Sequence, residues 1–257
     1  MRLITSAAAL VVLATTVGAG AASAQEGPLS TLSLDAERVA KRVEHSGRWS
    51  YAAADTVGDG QAVIGSELGW PDVTLGFVYG VSRSIDVGAK LELAYGLEGT
   101  TNIHFGFGLR APIRFNLVKK EKVSVLAHVD PGVKIYTGTL EKGIDPYFEK
   151  MYFGIQLPVG IAVAFSPSRD VSVGIGFDVN TIFGLAGVGA FSVGISPMAG
   201  PELEYRIDDQ IVVGVNTRFG AGIAITSDTT YPGVGTAAGD TYTKFAFRAQ
   251  LVLGYKM

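Results

Sequence analysis

Residues 101–117 read TNIHFGFGLRAPIRFNL, and every second position is apolar: Ile103, Phe105, Phe107, Leu109, Ala111, Ile113, Phe115 and Leu117. Between them lie His104, Gly106, Gly108, Arg110, Pro112, Arg114 and Asn116. A period of two is the pattern of an extended strand, because a helix repeats its apolar positions at three and four. Ordinary strands stop after about five or six residues. A row kept apolar for this long needs an environment that enforces it.

The pattern recurs from about residue 60 to the end. Val73 to Val81 form one alternating row, Ile85 to Tyr95 the next, then Val123 to Ile135 and Met151 to Phe165. Further rows begin at Val171, Phe191, Ile211 and Phe245, and a weaker first strand lies near 60–68. Short polar turns at 82–84, 119–122, 167–170 and 207–209 contrast with long links at 138–149 and 226–242. The chain therefore reads as all-β: a closed up-and-down antiparallel transmembrane β-barrel of about ten strands, with both termini on the short-turn rim.

The composition of the two faces decides which is outside. A soluble barrel would turn its apolar rows inward and expose rows rich in Lys, Glu and Thr. The alternate rows are instead small, as in Tyr152, Gly154, Gln156, Pro158, Gly160, Ala162 and Ala164. The apolar rows carry no charge, and a charge facing lipid at mid-depth costs about 2–4 kcal/mol. Rows of about ten residues match a tilted membrane-crossing strand, and only a closed barrel leaves no unpaired edge in hydrocarbon. Phe115, Phe165, Tyr205 and Tyr255 toward one rim, and Tyr95, Phe105, Phe153, Phe191 and Phe245 toward the other, read as two interfacial girdles. Pro112, Pro131, Pro158, Pro197 and Pro201 fall inside strands and predict bulges or rim positions, since each removes a ladder donor.

The first residues, MRLITSAAALVVLATTVGAGAASAQ, place one arginine before an apolar run and a small-residue site at Ala22, Ser23 and Ala24. That is a secretory signal peptide over 1–24. Residues 25–58 form a second region, a periplasmic lead-in or a plug of the lumen, with Ala36, Val39, Ala40 and Val43 at the spacing of a short amphipathic helix. The barrel occupies 59–257. The chain has no cysteine, so neither disulfides nor thiolate chemistry is available. Without Arg2 it has 20 basic residues (21 less one) against 24 acidic, which gives no case for nucleic acid.

In this phasing the lumen holds Asp86, Lys90, Glu92, His104, Arg110, Arg114, His128, Asp130, Lys134, Glu202, Glu204, Arg218 and Arg248. Register across the turns brings Arg110 toward His128 and Asp130, Glu92 toward His104, and Asp86 toward Arg114. These opposite charges predict a satisfied polar interior or a constriction that filters solutes. Inward glycines such as Gly76, Gly108, Gly160, Gly174 and Gly176 leave room that water or a polypeptide would fill. No catalytic, cofactor-binding or metal-binding set emerges: the only histidines are His45, His104 and His128, and none joins ligands at metal spacing. The ten-stranded omptin proteases carry acidic and histidine residues at their outer rim, and the long loops here contain no histidine, so an enzyme is not expected.

The C-terminal residues FRAQLVLGYKM resemble the closing signature of Gram-negative outer-membrane barrels, with Leu251, Leu253 and Tyr255 alternating to an apolar last residue. Met257 stands where that class usually has phenylalanine. The resemblance covers about residues 59–257 and implies recognition by the barrel-assembly machinery, outer-membrane lipid as partner and the outer membrane as location. The whole chain also resembles the barrel components of myxobacterial gliding-motility complexes, a likeness carried by no motif. The functions these readings imply are a non-enzymatic anchor or interaction platform, with protein partners at loops 138–149 and 226–242 or at the periplasmic rim. The alternatives are a small passive channel and a component of a gliding-motility envelope complex.

Overall fold

The computed structural model describes residues 48–96, 105–136, 152–186, 191–226, 229–231, 235–237 and 241–257. The chain divides into two units, Met1–Arg42 and Val43–Met257, and every described residue belongs to the second. The expected signal peptide, the expected helix around Ala36 to Val43, His104 and loop 138–149 lie outside the described residues.

Ten strands run antiparallel in chain order: β1 (Ala62–Trp70), β2 (Asp72–Gly80), β3 (Ile85–Ala94), β4 (Gly106–Arg110 with Ile113–Lys119), β5 (Val123–Val129 with Gly132–Tyr136), β6 (Tyr152–Gln156 with Val159–Phe165), β7 (Val171–Ala186), β8 (Phe191–Arg206), β9 (Ile211–Thr226) and β10 (Thr241–Lys256). Each pairs with its sequence neighbours. β10 also returns to β1, with Ile64 opposite Tyr255 and Trp70 opposite Ala249, which closes the barrel. A short hairpin, Thr229–Tyr231 with Gly235–Ala237, stands in the β9–β10 link. Closure satisfies the edge groups that an open sheet leaves unpaired.

The two faces are inverted relative to a soluble protein. Leu75, Leu91, Phe107, Leu109, Ile175 and Leu251 all point outward and are more than half exposed. The lumen holds Asp86, Glu92, Arg218, Glu202 and Asp178, each 3 % exposed or less. What apolar core there is sits toward the short-turn rim. Val63, Val78, Val212 and Val252 surround Trp49, Tyr51 and Val57 there, and Leu126, Ala162 and Ala164 pack against Ala54.

The prolines do not lie at rims or bulges. Pro112, Pro131 and Pro158 interrupt β4, β5 and β6 mid-strand, on three neighbouring strands, and the one bulge between β4 and β5 is at Asn116–Val118. The ladder survives because the amide before each proline donates across to the next strand. Ala111 N donates to Pro131 O and Asp130 N to Pro158 O, both at 2.8 Å, and Leu157 N donates to Thr181 O at 2.7 Å. Pro197 and Pro201 leave gaps in the β8–β9 pairing at about mid-height.

Candidate functional site

The lumen is the only enclosed chemistry among the described residues, and it has two levels. The upper level is a chain of ion pairs that crosses the barrel. Lys134 on β5 pairs with Glu92 on β3, and Arg110 on β4 reaches Glu92 at 3.3 Å and Asp130 at 3.8 Å. Asp130 holds His128 Nδ1 at 3.3 Å, and His128 Nε2 meets Asp178 of β7 at 3.1 Å. Asp178 in turn accepts from Arg218 Nε of β9 at 3.0 Å and from Arg248 of β10, while a second Arg218 nitrogen donates to Glu202 of β8 at 2.7 Å. Beside this chain Lys90 pairs with Glu67 at 2.7 Å, and Gln250 donates to Asp72 at 2.9 Å. Low dielectric makes such pairs strong and makes any unpaired member costly.

Arg218 has a further task. Its remaining nitrogen donates to the carbonyls of Gly200 and Thr217, both at 3.0 Å, where Pro201 has removed a ladder donor between β8 and β9. One guanidinium therefore ties the ionic chain to the β8–β9 ladder where Pro201 interrupts it.

Glycines make room for these groups. A Cβ on Gly174 would stand 2.9 Å from Glu202 Oε1 and one on Gly108 3.1 Å from Glu92 Oε2; one on Gly176 would collide with the Arg218 guanidinium, and one on Gly160 with His128 and Asp178. The space beside the inward glycines is thus filled by ionic side chains from neighbouring strands. What remains is a cavity of about 70 Å³ lined by Tyr51, Glu67, Lys90, Arg110, His128 and Asp178 among others, room for a handful of water molecules.

The lower level is the lead segment, residues 48–57, which lies inside the barrel against the short-turn half. It makes no ladder. Arg114 of β4 donates to the carbonyls of Tyr51 at 2.5 Å, Ser50 at 3.0 Å and Asp55, and pairs with Asp86 at 3.3 Å. Glu204 of β8 accepts the amides of Ala52 and Ala53, at 2.7 and 3.2 Å, and Asp86 accepts Val57 N at 3.1 Å. Arg206 donates to Trp49 O at 2.7 Å, and Lys119 pairs with Asp55 at 2.5 Å. Lys256 and Arg206 each lie over the Trp49 ring, 5.6 and 5.8 Å from its centre. Tyr51 rests on glycines of three strands: a Cβ on Gly65 would meet its ring at 2.5 Å, and Gly76 and Gly254 face the same side chain. Burial pushes the Tyr51 phenol up to about 12, with Lys90 pulling the other way.

Of the lumenal residues named from sequence, Asp86, Lys90, Glu92, Arg110, Arg114, His128, Asp130, Lys134, Glu202, Glu204, Arg218 and Arg248 all lie in these two levels; His104 is outside the described residues. The Asp86–Arg114 and Arg110–Asp130 proximities are present. Glu92, paired in the sequence reading with His104, instead meets Arg110 and Lys134, because register sets it opposite Gly108. Sequence reasoning passed over Asp178, Glu67, Asp72 and Arg206. Asp178 carried a signal, as the one carboxylate on the small inward row from Ser172 to Asn180.

Comparison of the chain with protein-family models gives no match, and comparison with curated protein sequences gives none either.

Proposed function

We propose that the chain is a non-enzymatic integral outer-membrane barrel of a Gram-negative envelope. It is exported by the signal peptide over 1–24 and serves as an anchor or interaction platform for an envelope or surface assembly. The observation that carries this is the inversion of its faces around a filled interior. The outer wall is apolar over most of the height of every strand, and Glu92, Arg110, Asp130, Asp178, Glu202 and Arg218 of the ionic chain are buried. Lipid is the solvent that tolerates such a wall. A solute path would require an interior that water reaches, whereas Arg110, Glu92, Asp130, Asp178 and Arg218 are each no more than 9 % exposed.

With the lumen closed, the faces available to partners are the long-loop rim, with loops 138–149 and 226–242, and the short-turn rim. Lipid and the assembly machinery are the partners of biogenesis.

Envelope fractionation with heat-modifiable gel mobility tests the location and the barrel. Planar-bilayer recording of the purified full chain tests the closure: the platform predicts silence, and steady unitary conductance would favour a small passive channel instead.

A further inference from the structure

The lead segment is held as a ligand is held. Four barrel side chains from three strands address its main chain: Arg114 takes three carbonyls, Glu204 two amides, Asp86 one amide and Arg206 one carbonyl. Two aromatic side chains, Trp49 and Tyr51, fill seats built elsewhere, Tyr51 on the glycines of β1, β2 and β10 and Trp49 beside the cations of Arg206 and Lys256. Recognition by groups aimed at backbone, with pockets for alternate side chains, is how extended peptides are captured. The connection to β1 is a glycine turn. Gly58 and Gly60 have φ of +101° and +69°, values that favour glycine, and Asp59, Gly60 and Gln61 are exposed.

We propose that the short-turn half of the lumen is a peptide-binding site, and that residues 48–57 are its tethered occupant, able to leave and return about the Gly58–Gly60 turn. The ligand class is a short peptide with an aromatic-x-aromatic pair, as in Trp49-Ser50-Tyr51, whose following backbone turns to offer carbonyls to an arginine and amides to a glutamate. This goes beyond the platform reading and does not depend on it, because the test is read on the folded barrel in micelles whether or not the barrel conducts.

The test begins with the full chain, folded in detergent, carrying a protease site inserted between Gly58 and Gly60 and Trp70→Phe so that Trp49 is the sole indole. After cutting, the freed segment is expected to stay with the barrel through gel filtration, with Trp49 emission still blue. Excess synthetic peptide RWSYAAADTV should then displace it, so that the cut segment elutes apart from the barrel on gel filtration. Glu204→Gln keeps size but weakens charge-assisted bonds to two amides, and should speed release about tenfold. Gly65→Val occupies the Tyr51 seat and should abolish retention while heat-modifiable mobility of the barrel persists. Loss of the segment on cutting, with no peptide rebinding, would overturn the proposal. So would a cut segment that stays bound but never exchanges, since it would then be a permanent part of the wall packing.

Discussion

Asp86 and Arg114 stand opposite one another in register on β3 and β4, 3.3 Å apart, and the same guanidinium then reaches the main chain of Ser50, Tyr51 and Asp55. Asp86 has no solvent exposure at all. The pair is therefore more than a satisfied interior contact: it turns one strand-to-strand pairing into the clasp of the lead segment.

The orientation of the wall can be tested with two residues three positions apart. Phe107 is outward and 60 % exposed, whereas Arg110 is inward. Phe107→Arg is expected to lower membrane-folded stability by about 2–4 kcal/mol and to block assembly. Arg110→Gln should leave the barrel assembled and loosen only the Glu92 and Asp130 contacts. Folding yield into vesicles, read as heat-modifiable mobility, separates the two; equal tolerance would reverse inside and outside.

Arg218 should be the costliest single loss in the lumen. Arg218→Met strips Glu202 of its partner and Asp178 of one of three, and reopens the Pro201 gap. Removing one member of a buried ion pair costs about 3–5 kcal/mol. A urea midpoint in micelles measures it, and adding Glu202→Gln to Arg218→Met should recover part of the loss.

The seat at Gly176 should be coupled to that arginine. Gly176→Ala places a methyl where the guanidinium lies and is expected to cost about 1–3 kcal/mol. In an Arg218→Ala background the methyl has space, so the cost should shrink. A double-mutant cycle returning strict additivity would mean that the glycine serves some other purpose.

Tyr51 offers a nearly silent change and a pH signature. Its phenolic oxygen is buried without a hydrogen-bond partner, so Tyr51→Phe should alter stability by under about 0.5 kcal/mol, whereas Tyr51→Ala should cost about 3–5 kcal/mol. The phenol, pushed up to about 12 by burial, stays neutral in the fold after it would ionise in the unfolded chain. Its contribution is therefore complete below pH 10 and is lost as pH rises through about 12. Alkaline unfolding with absorbance at the phenolate band checks this: the wild-type chain should show one more late-titrating tyrosine than the Tyr51→Phe variant.

TNIHFGFGLRAPIRFNL by itself determined a good deal. Alternation is a local property of an extended chain, and Phe107 and Leu109 had only one face on which to fall, so strand type, the apolar outer wall and the inward placing of Arg110 and Arg114 could be read without partners. The meander followed from the links, and ten strands from the count of rows. The prolines misled the sequence reading because a missing donor is local while its repair is not: Ala111 and Asp130 find their acceptors on the next strand.

Tertiary structure alone decided which charges meet. Asp178 joins His128, Arg218 and Arg248 from three different strands, a meeting set by closure and by how far long side chains reach across a narrow lumen. It alone also decided the place of residues 48–57. That stretch has no alternation to read, and its seats are glycines at 65, 76 and 254, positions brought together only when β10 returns to β1. An absent side chain leaves no signal of what will fill its space.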